Sequence, residues 1–214
     1  MDSAPRSEAR PEFEIDANRI DTQPPTPSRP QNFRPKKRTA TILFICTCLS
    51  TWVTGGLFFA TDTFNAYAGL SYSASLMTIL VFHEMGHYLQ AQRWGVPATL
   101  PFFIPMPMIG PFGTMGAVII QGAGVANRKS LFEIAVTGPL AGLIVAIPVT
   151  FYGICVSEHQ EIGEGAMVFG NPLLLEWMYE SIHGPLPPQH DMLLNPYLFA
   201  GWVGIFITGL NLIP

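Results

Sequence analysis

The sequence predicts an α-helical polytopic membrane protein. It would have about four transmembrane helices, a re-entrant loop or β-hairpin among them, and a disordered N-terminal tail in front. Three observations carry this. Only 12% of the 214 residues are charged while 49% are hydrophobic, and an ordinary soluble domain carries roughly 25% charge. That charge is uneven, with residues 1–38 holding 14 of the 26 charged side chains. Long uncharged runs then follow one another through the remaining 176 residues. The net charge of −4 excludes the basic profile of a nucleic-acid-binding protein. Cys46, Cys48 and Cys155 all lie in apolar runs, without CxxC metal spacing or a disulfide framework.

The first 38 residues contain seven prolines, six acids and eight bases. So polar a segment buries too little surface to offset its chain entropy, which predicts disorder over 1–38 and one membrane-embedded core over 39–214. It is too long and too acidic for a signal-peptide n-region, and its acids argue against a mitochondrial or plastid transit peptide. The closing Arg34-Pro-Lys-Lys-Arg38 reads as a solvated linker and topology anchor.

Ala40–Ala60 is uncharged for 21 residues, enough to cross a hydrocarbon core of about 30 Å. The second span runs from about Ala68 to Gln92, the third from about Leu131 to Val156, and the fourth from Pro196 to the end. If these alternate, Arg34–Arg38, Arg93, Arg128 and Lys129 share one side. The loop Ser157–Asn195 falls on the other, with six acids and no Lys or Arg. The positive-inside rule then makes the amino terminus cytoplasmic, and a bacterial cytoplasmic membrane is the expected location. Within that loop, Asn171-Pro172 reads as a helix start and Gly184 as a stop. Leu173, Leu174, Trp177 and Met178 make an apolar stripe suited to a short interfacial helix.

The second span carries His83-Glu84-Met85-Gly86-His87. Residues four apart on a helix lie one above the other, so both imidazoles can meet one ion, and neutral imidazole suits Zn²⁺. Glu84 is placed to take a proton from water and return it to a leaving amine. Random placement would yield this motif only about 0.005 times in a chain of this composition. Ionisable groups inside an apolar helix are costly and ordinarily functional. His159, His183 and His190 lie in the outer loop and read as solvated, and Glu133 reads as an interface residue.

From Pro97 to Asn127 there is no charge, yet five prolines between Pro97 and Pro111 forbid a helix. Gly113, Thr114, Met115 and Gly116, followed by Ala117–Ile120, can form a short strand with an open edge; a loop packed at the inner interface is the alternative. Gly138-Pro139-Leu-Ala-Gly142 sets two glycines at a spacing that lets another backbone approach the third span. Gly86 between the histidines points to a second close contact. His83 and Asn211 each lie 15 residues from the outer ends of their helices, hence both roughly 22 Å deep. Asn211-Leu-Ile-Pro214 breaks the fourth helix at that level.

At these residues the chain resembles the site-2 protease family of intramembrane zinc metallopeptidases. The motifs are His83–His87, Gly138–Gly142 and Asn211–Pro214, in the family's order on successive hydrophobic segments. The stretch Gly113–Ile120 also looks like the family's membrane-embedded hairpin. The resemblance implies cleavage of transmembrane protein substrates within the lipid bilayer. It implies zinc on His83 and His87, Glu84 as general acid/base, Gly113–Gly116 and Asn211 as substrate-positioning residues, and Gly138, Pro139 and Gly142 as helix-packing residues. In the family an Asp soon after the Asn-x-x-Pro element is the third ligand. Here the chain stops at Pro214, which reads as truncation. A non-catalytic membrane-embedded binding or assembly factor is the competing reading. A zinc transporter ranks last, because the polar groups cluster at one depth.

Overall fold

A computed structural model describes residues 36–108, 110–122, 127–161, 173–185 and 190–212. Of the tail expected to be disordered over 1–38, the part through residue 35 lies outside them, as do the helix start at Asn171-Pro172 and the residues after Leu212. Lys37 and Arg38 already belong to a helix, because they continue into the apolar run that follows.

Among the described residues there are five helices: α1 (Lys37–Phe58), α2 (Ala66–Arg93), α3 (Arg128–Cys155), α4 (Leu173–His183) and α5 (Pro196–Leu210). Two short antiparallel sheets complete the set, β1 (Phe102–Pro105) with β2 (Thr114–Val118) and β3 (His159–Glu161) with β4 (His190–Met192). By length and hydropathy, α1 and α3 can cross a membrane, while α5 is a shorter apolar helix. The expected four spans thus come down to two on that criterion. α2 has the length, 28 residues, but interrupts its apolar surface with His83, Glu84, His87 and three glutamines or arginines near its end.

Three of the helices start at asparagines. Asn65, Asn127 and Asn195 accept from Ala68 N (3.0 Å), Ser130 N (2.8 Å) and Leu198 N (3.0 Å), satisfying backbone donors that a helix leaves open. Asn195 also donates from Nδ2 to the Gly153 carbonyl at 2.7 Å, tying the start of α5 to the end of α3. Gly184 ends α4 with φ +81°, its N–H returning to Glu180 O at 3.0 Å, as the sequence predicts.

The helices are patterned inside out relative to a soluble bundle. α1 buries Thr47, Ser50, Thr51 and Thr54 and exposes Ile42, Ile45 and Leu49. α3 buries Gly138, Gly142, Ala146, Thr150 and Gly153 and exposes Leu140, Ile144 and Phe151. Small and hydroxyl-bearing side chains therefore make the helix contacts, as expected where the surroundings are as apolar as leucine. Between them sits a core of Tyr72, Leu76, Leu80, Phe103, Phe199 and Val203.

The proline-rich stretch forms strands rather than a featureless loop. β1 pairs with β2 through Phe102↔Val118 and Phe103↔Ala117, with an irregularity before Pro105↔Thr114. The far end of the hairpin is fastened to the helices. Ser50 Oγ donates to Gly113 O at 2.7 Å and Tyr72 Oη to Phe112 O at 2.9 Å. Gly113 has φ +73°, and a Cβ there would lie 2.8 Å from Thr54 Oγ1 and 2.9 Å from Thr51 Cα. No other side chain fits that turn.

In the outer loop, the apolar stripe on α4 differs from expectation. Leu175, Met178 and Tyr179 are buried against Ile154 and Leu198, whereas Leu173 and Trp177 are exposed. The Met178 side of the stripe packs onto α3 and α5, because the neighbouring helices offer apolar surface that the sequence of α4 alone does not reveal. The β3–β4 pair has no signal in the sequence: three-residue strands are too short to show alternation. His183, expected to be solvated, is exposed but hydrogen-bonds Ile154 O through Nε2 at 3.0 Å.

Asn195→Ala removes both a cap and the tether to Gly153. We expect it to cost about 1–2 kcal/mol, read as a lower thermal unfolding midpoint of the detergent-solubilised protein. An unchanged midpoint would show that neither bond contributes.

Candidate functional site

Half-way along the buried face of α2, one helical turn presents His83, Glu84 and His87. The first two are 1% and 6% exposed. The Nε2 atoms of His83 and His87 stand 3.2 Å apart. The Nδ1 atom of His87 is 2.7 Å from the Ile134 carbonyl. A carbonyl only accepts, so Nδ1 carries the proton and Nε2 of neutral His87 is a bare lone pair. With its amide oriented as in the structure, Asn211 Nδ2 donates to His83 Nε2 at 2.8 Å, which makes that nitrogen an acceptor too. The Nδ1 atom of His83 faces Thr208 Oγ1 at 3.4 Å.

Two imidazole lone pairs thus converge on one point. Such a pair repels unless a donor proton or a cation fills one of them; here the Asn211 N–H occupies the His83 lone pair, a place that a bound cation would take over. Two nitrogens on a tetrahedral ion, each about 2.05 Å from it, are about 3.3 Å apart. The separation found here therefore fits a metal, and the Ile134 carbonyl supplies the outer hydrogen bond that orients a metal-binding histidine. Among the described residues no third His, Cys, Asp or Glu joins them.

α3 makes the space. A Cβ on Gly138 would collide with the His87 ring, and one on Gly142 would lie 3.0 Å from His83 Nδ1 and 3.2 Å from Thr208 Oγ1. The two glycines, four apart, thus each admit one of two histidines that are also four apart. In return, Gly86 lets α2 close onto α3: a Cβ there would lie 2.7 Å from Thr137 O and 2.9 Å from Gly138 Cα. Pro139 has no N–H to give the Ala135 carbonyl, so the helix loosens one residue from the carbonyl that holds His87. Just below, Glu133 accepts from Gln90 Nε2 and Trp94 Nε1, both at 2.9 Å. It clamps α2 to α3 immediately before Ile134.

A cavity of about 430 Å³ opens beside this turn, lined by Glu84, His87 and Asn211 on one side and by Ala117, Val118, Ile119 and Gln121 on another. Among the described residues β2 pairs only with β1, which leaves it a second edge, and its Ala117 and Val118 line the cavity. Of the five residues expected to position substrate, Asn211 lines the cavity, while Gly113 and Thr114 on the hairpin face inward. Thr114 is 2% exposed and donates to Ile104 O at 3.0 Å. Met115 is 70% exposed, and Gly116 takes φ +88°. The residues at the cavity are the next ones along, Ala117, Val118, Ile119 and Gln121. Sequence reading missed Ile134 and Thr208 as partners of the histidines. A backbone carbonyl leaves no mark in a sequence, and a threonine in an apolar helix is common.

The two glycines should differ in consequence. Gly138→Ala places a methyl where the His87 ring stands and is expected to abolish binding of a divalent transition metal. Gly142→Ala brings its methyl to 3.0 Å from His83 Nδ1, a crowding that a shift of a few tenths of an ångström relieves, and is expected to weaken it by about tenfold or less. Metal content and affinity of the purified variants measure this; equal retention in both would refute the fit.

The comparisons with known proteins agree with this geometry. Residues 71–214 match Peptidase family M50. The probable zinc metalloprotease EGY2, chloroplastic, of Arabidopsis thaliana is 34% identical over 145 residues, covering 65% of this chain and 26% of that protein. The probable zinc metalloprotease EGY1, chloroplastic, of Oryza sativa subsp. japonica is 26% identical over 158 residues, covering 69% of this chain and 26% of that protein. Its counterpart in Arabidopsis thaliana is 28% identical over 158 residues, 69% of this chain and 27% of that protein. The chain spans about a quarter of the length of these curated relatives. Their chloroplastic titles give no support to a bacterial membrane. No solved structure matches the chain. The family match takes in more than half of the residues and all three motifs, from His83 to Asn211, and on that ground the chain belongs to Peptidase family M50, the site-2 protease family.

Proposed function

We propose that this chain is the core of an intramembrane zinc metalloprotease that hydrolyses peptide bonds of membrane-spanning proteins. The observation that carries the reading is the pair of imidazole lone pairs 3.2 Å apart, at a cavity shared by a buried carboxyl and an open strand edge. The curated relatives are titled zinc metalloproteases. Regulated proteolysis and clearance of cleavage remnants are the two tasks such an activity serves.

His83 and His87 hold the zinc through Nε2. Zinc bound there supplies Lewis acidity, polarising a peptide carbonyl and making water a better acid. Ile134 holds the Nδ1 proton of His87, and Thr208 faces Nδ1 of His83, so neither ring can turn its Nε2 away. Glu84 takes the proton of the attacking water as the new C–O bond forms. It then passes that proton to the amide nitrogen as the C–N bond breaks. Asn211, which lines the cavity together with Glu84 and His87, donates toward the same point and can hold the substrate carbonyl. A catalytic zinc takes three protein ligands; these histidines are two, and the resemblance expects an Asp C-terminal to Asn211 as the third.

A transmembrane helix hides its carbonyls in i→i−4 hydrogen bonds and must unwind before attack. The free edge of β2 gives the unwound segment an alternative set of backbone partners, by strand addition, with Ala117, Val118, Ile119 and Gln121 alongside Glu84. We place α1, α2, α3 and α5 across the membrane with the hairpin entering and leaving on the cytoplasmic side. Three observations support this: the outward apolar faces, the asparagine-capped outer ends of α2 and α5, and the cluster Arg93, Arg128 and Lys129 at the opposite ends.

Glu84→Gln keeps the size of the side chain but cannot carry the proton. In the complete protein it is expected to retain zinc and thermal stability and to lose cleavage of a membrane-spanning reporter by ~10² or more. His83→Ala and His87→Ala are expected to lose zinc as well. Undiminished cleavage in Glu84→Gln would overturn the mechanism and leave a binding factor.

Topology is tested separately. With the three native cysteines replaced by serine, Glu180→Cys is expected to react with an impermeant thiol reagent supplied from the non-cytoplasmic side. Labelling from the cytoplasmic side alone would invert the arrangement.

A further inference from the structure

A second groove, of about 480 Å³, runs between α2 and α3 on another face of α2. Phe82, Met85 and Leu89 wall it, Gly86 and Ala141 floor it, and Arg93 stands at one end. At 100° per residue this face points away from Glu84, so the groove is separate from the cavity of the proposed active site. Phe82 and Leu89 are 49% and 59% exposed along it. Nothing in the proposed chemistry uses these residues.

We propose that this groove binds one anionic phospholipid of the cytoplasmic leaflet, an acyl chain lying along Phe82–Leu89 and the phosphate on Arg93. Three features choose this occupant. Eleven residues separate Phe82 from Arg93, a rise of about 16 Å, which is one leaflet of a core of about 30 Å. A transmembrane helix or a second copy of the chain would need a groove running the full thickness. The lining changes along its length from apolar to cationic, matching a lipid from tail to headgroup. Arg93 is exposed, and among the described residues no carboxylate pairs with it; the single ion pair there is Lys129 with Glu133 at 4.0 Å. The guanidinium is therefore available for bidentate hydrogen bonds to phosphate. It lies at the end of the molecule where Arg128 and Lys129 begin α3, so the field there favours an anionic headgroup.

The inference rests on the membrane-spanning placement of α2 and not on its chemistry. The test is native mass spectrometry of the full chain released from detergent containing either phosphatidylglycerol or phosphatidylcholine. One phosphatidylglycerol per chain is expected to survive release, and phosphatidylcholine is expected to be lost. Arg93→Gln should lower phosphatidylglycerol occupancy about fivefold, while Arg93→Lys retains most of it. Zinc content of both variants verifies that the fold is intact. Equal retention of the two lipids, or phosphatidylglycerol occupancy indifferent to Arg93→Gln, would overturn the proposal. So would a disulfide between two copies formed through Leu89→Cys, because another chain would then cover the groove. Cleavage of the membrane-spanning reporter is assayed in parallel. An inactive protein with Arg93-dependent lipid would refute the protease and leave the lipid site standing, and an active one without it would do the reverse.

Discussion

The imidazoles of His83 and His87 occupy space that only glycine on α3 leaves open, and the arrangement of the helices follows from that steric condition. A glycine inside a helix costs about 1 kcal/mol and a proline about 3, yet α3 carries Gly138, Pro139 and Gly142 within five residues. What offsets them is close packing, since van der Waals contact drives helix association where the surroundings are apolar. The stripe continues upward. Thr150 meets Gly201, Gly153 meets the backbone at Leu198, and Gly204 admits Ile79. α3 thereby contacts α2 and α5 with one small-residue face. Gly142 is where all three helices converge, between His83 and Thr208.

Polar satisfaction is the second organising demand. An unpaired hydroxyl or carbonyl inside an apolar environment costs several kcal/mol. Of the four hydroxyls that α1 turns inward, Thr47, Ser50 and Thr51 are hydrogen-bonded, while Thr54 Oγ1 has no partner among the described residues. Thr51 and Ser73 share a hydrogen bond of 2.7 Å between α1 and α2. Ser50 and Tyr72 hold the turn of the hairpin. Those bonds fix the inner end of the sheet and leave the outer edge of β2 beside the cavity. Rigidity at the turn and openness at the edge suit the strand addition proposed above, because a mobile edge would lose conformational entropy on pairing. The Glu133 clamp plays the same part for the histidines. It pins the end of α2 to the start of α3 one residue before the carbonyl that orients His87.

Hydropathy and periodicity made the helices legible, since both are local. The helix starts at Ala66, Arg128 and Pro196 fall within three residues of where charge and hydropathy place them. The level shared by His83 and Asn211, obtained by counting residues along two helices, corresponds to a hydrogen bond of 2.8 Å across 128 positions. α4 was less legible. Its buried side is chosen by α3 and α5, and Met178 and Trp177, adjacent in sequence and equally apolar, end in opposite environments. The hairpin lay between: prolines excluded a helix, but strand pairing through Phe102 and Phe103 depends on contacts that no short window contains.

By itself, the sequence determined the chemistry on offer: two imidazoles and a carboxyl on one turn of an apolar helix, glycines at matching spacing, and an asparagine at the same depth. Helical spacing and composition suffice for that, because each is a property of neighbouring residues. Only the tertiary structure decided that Gly138 and Gly142 each seat one histidine, and that Ile134 sets the tautomer of His87. It also decided that Ala117, Val118, Ile119 and Gln121, rather than Gly113–Gly116, border the cavity. Every residue has a carbonyl and any glycine permits approach, so which one is used is settled by how distant helices pack.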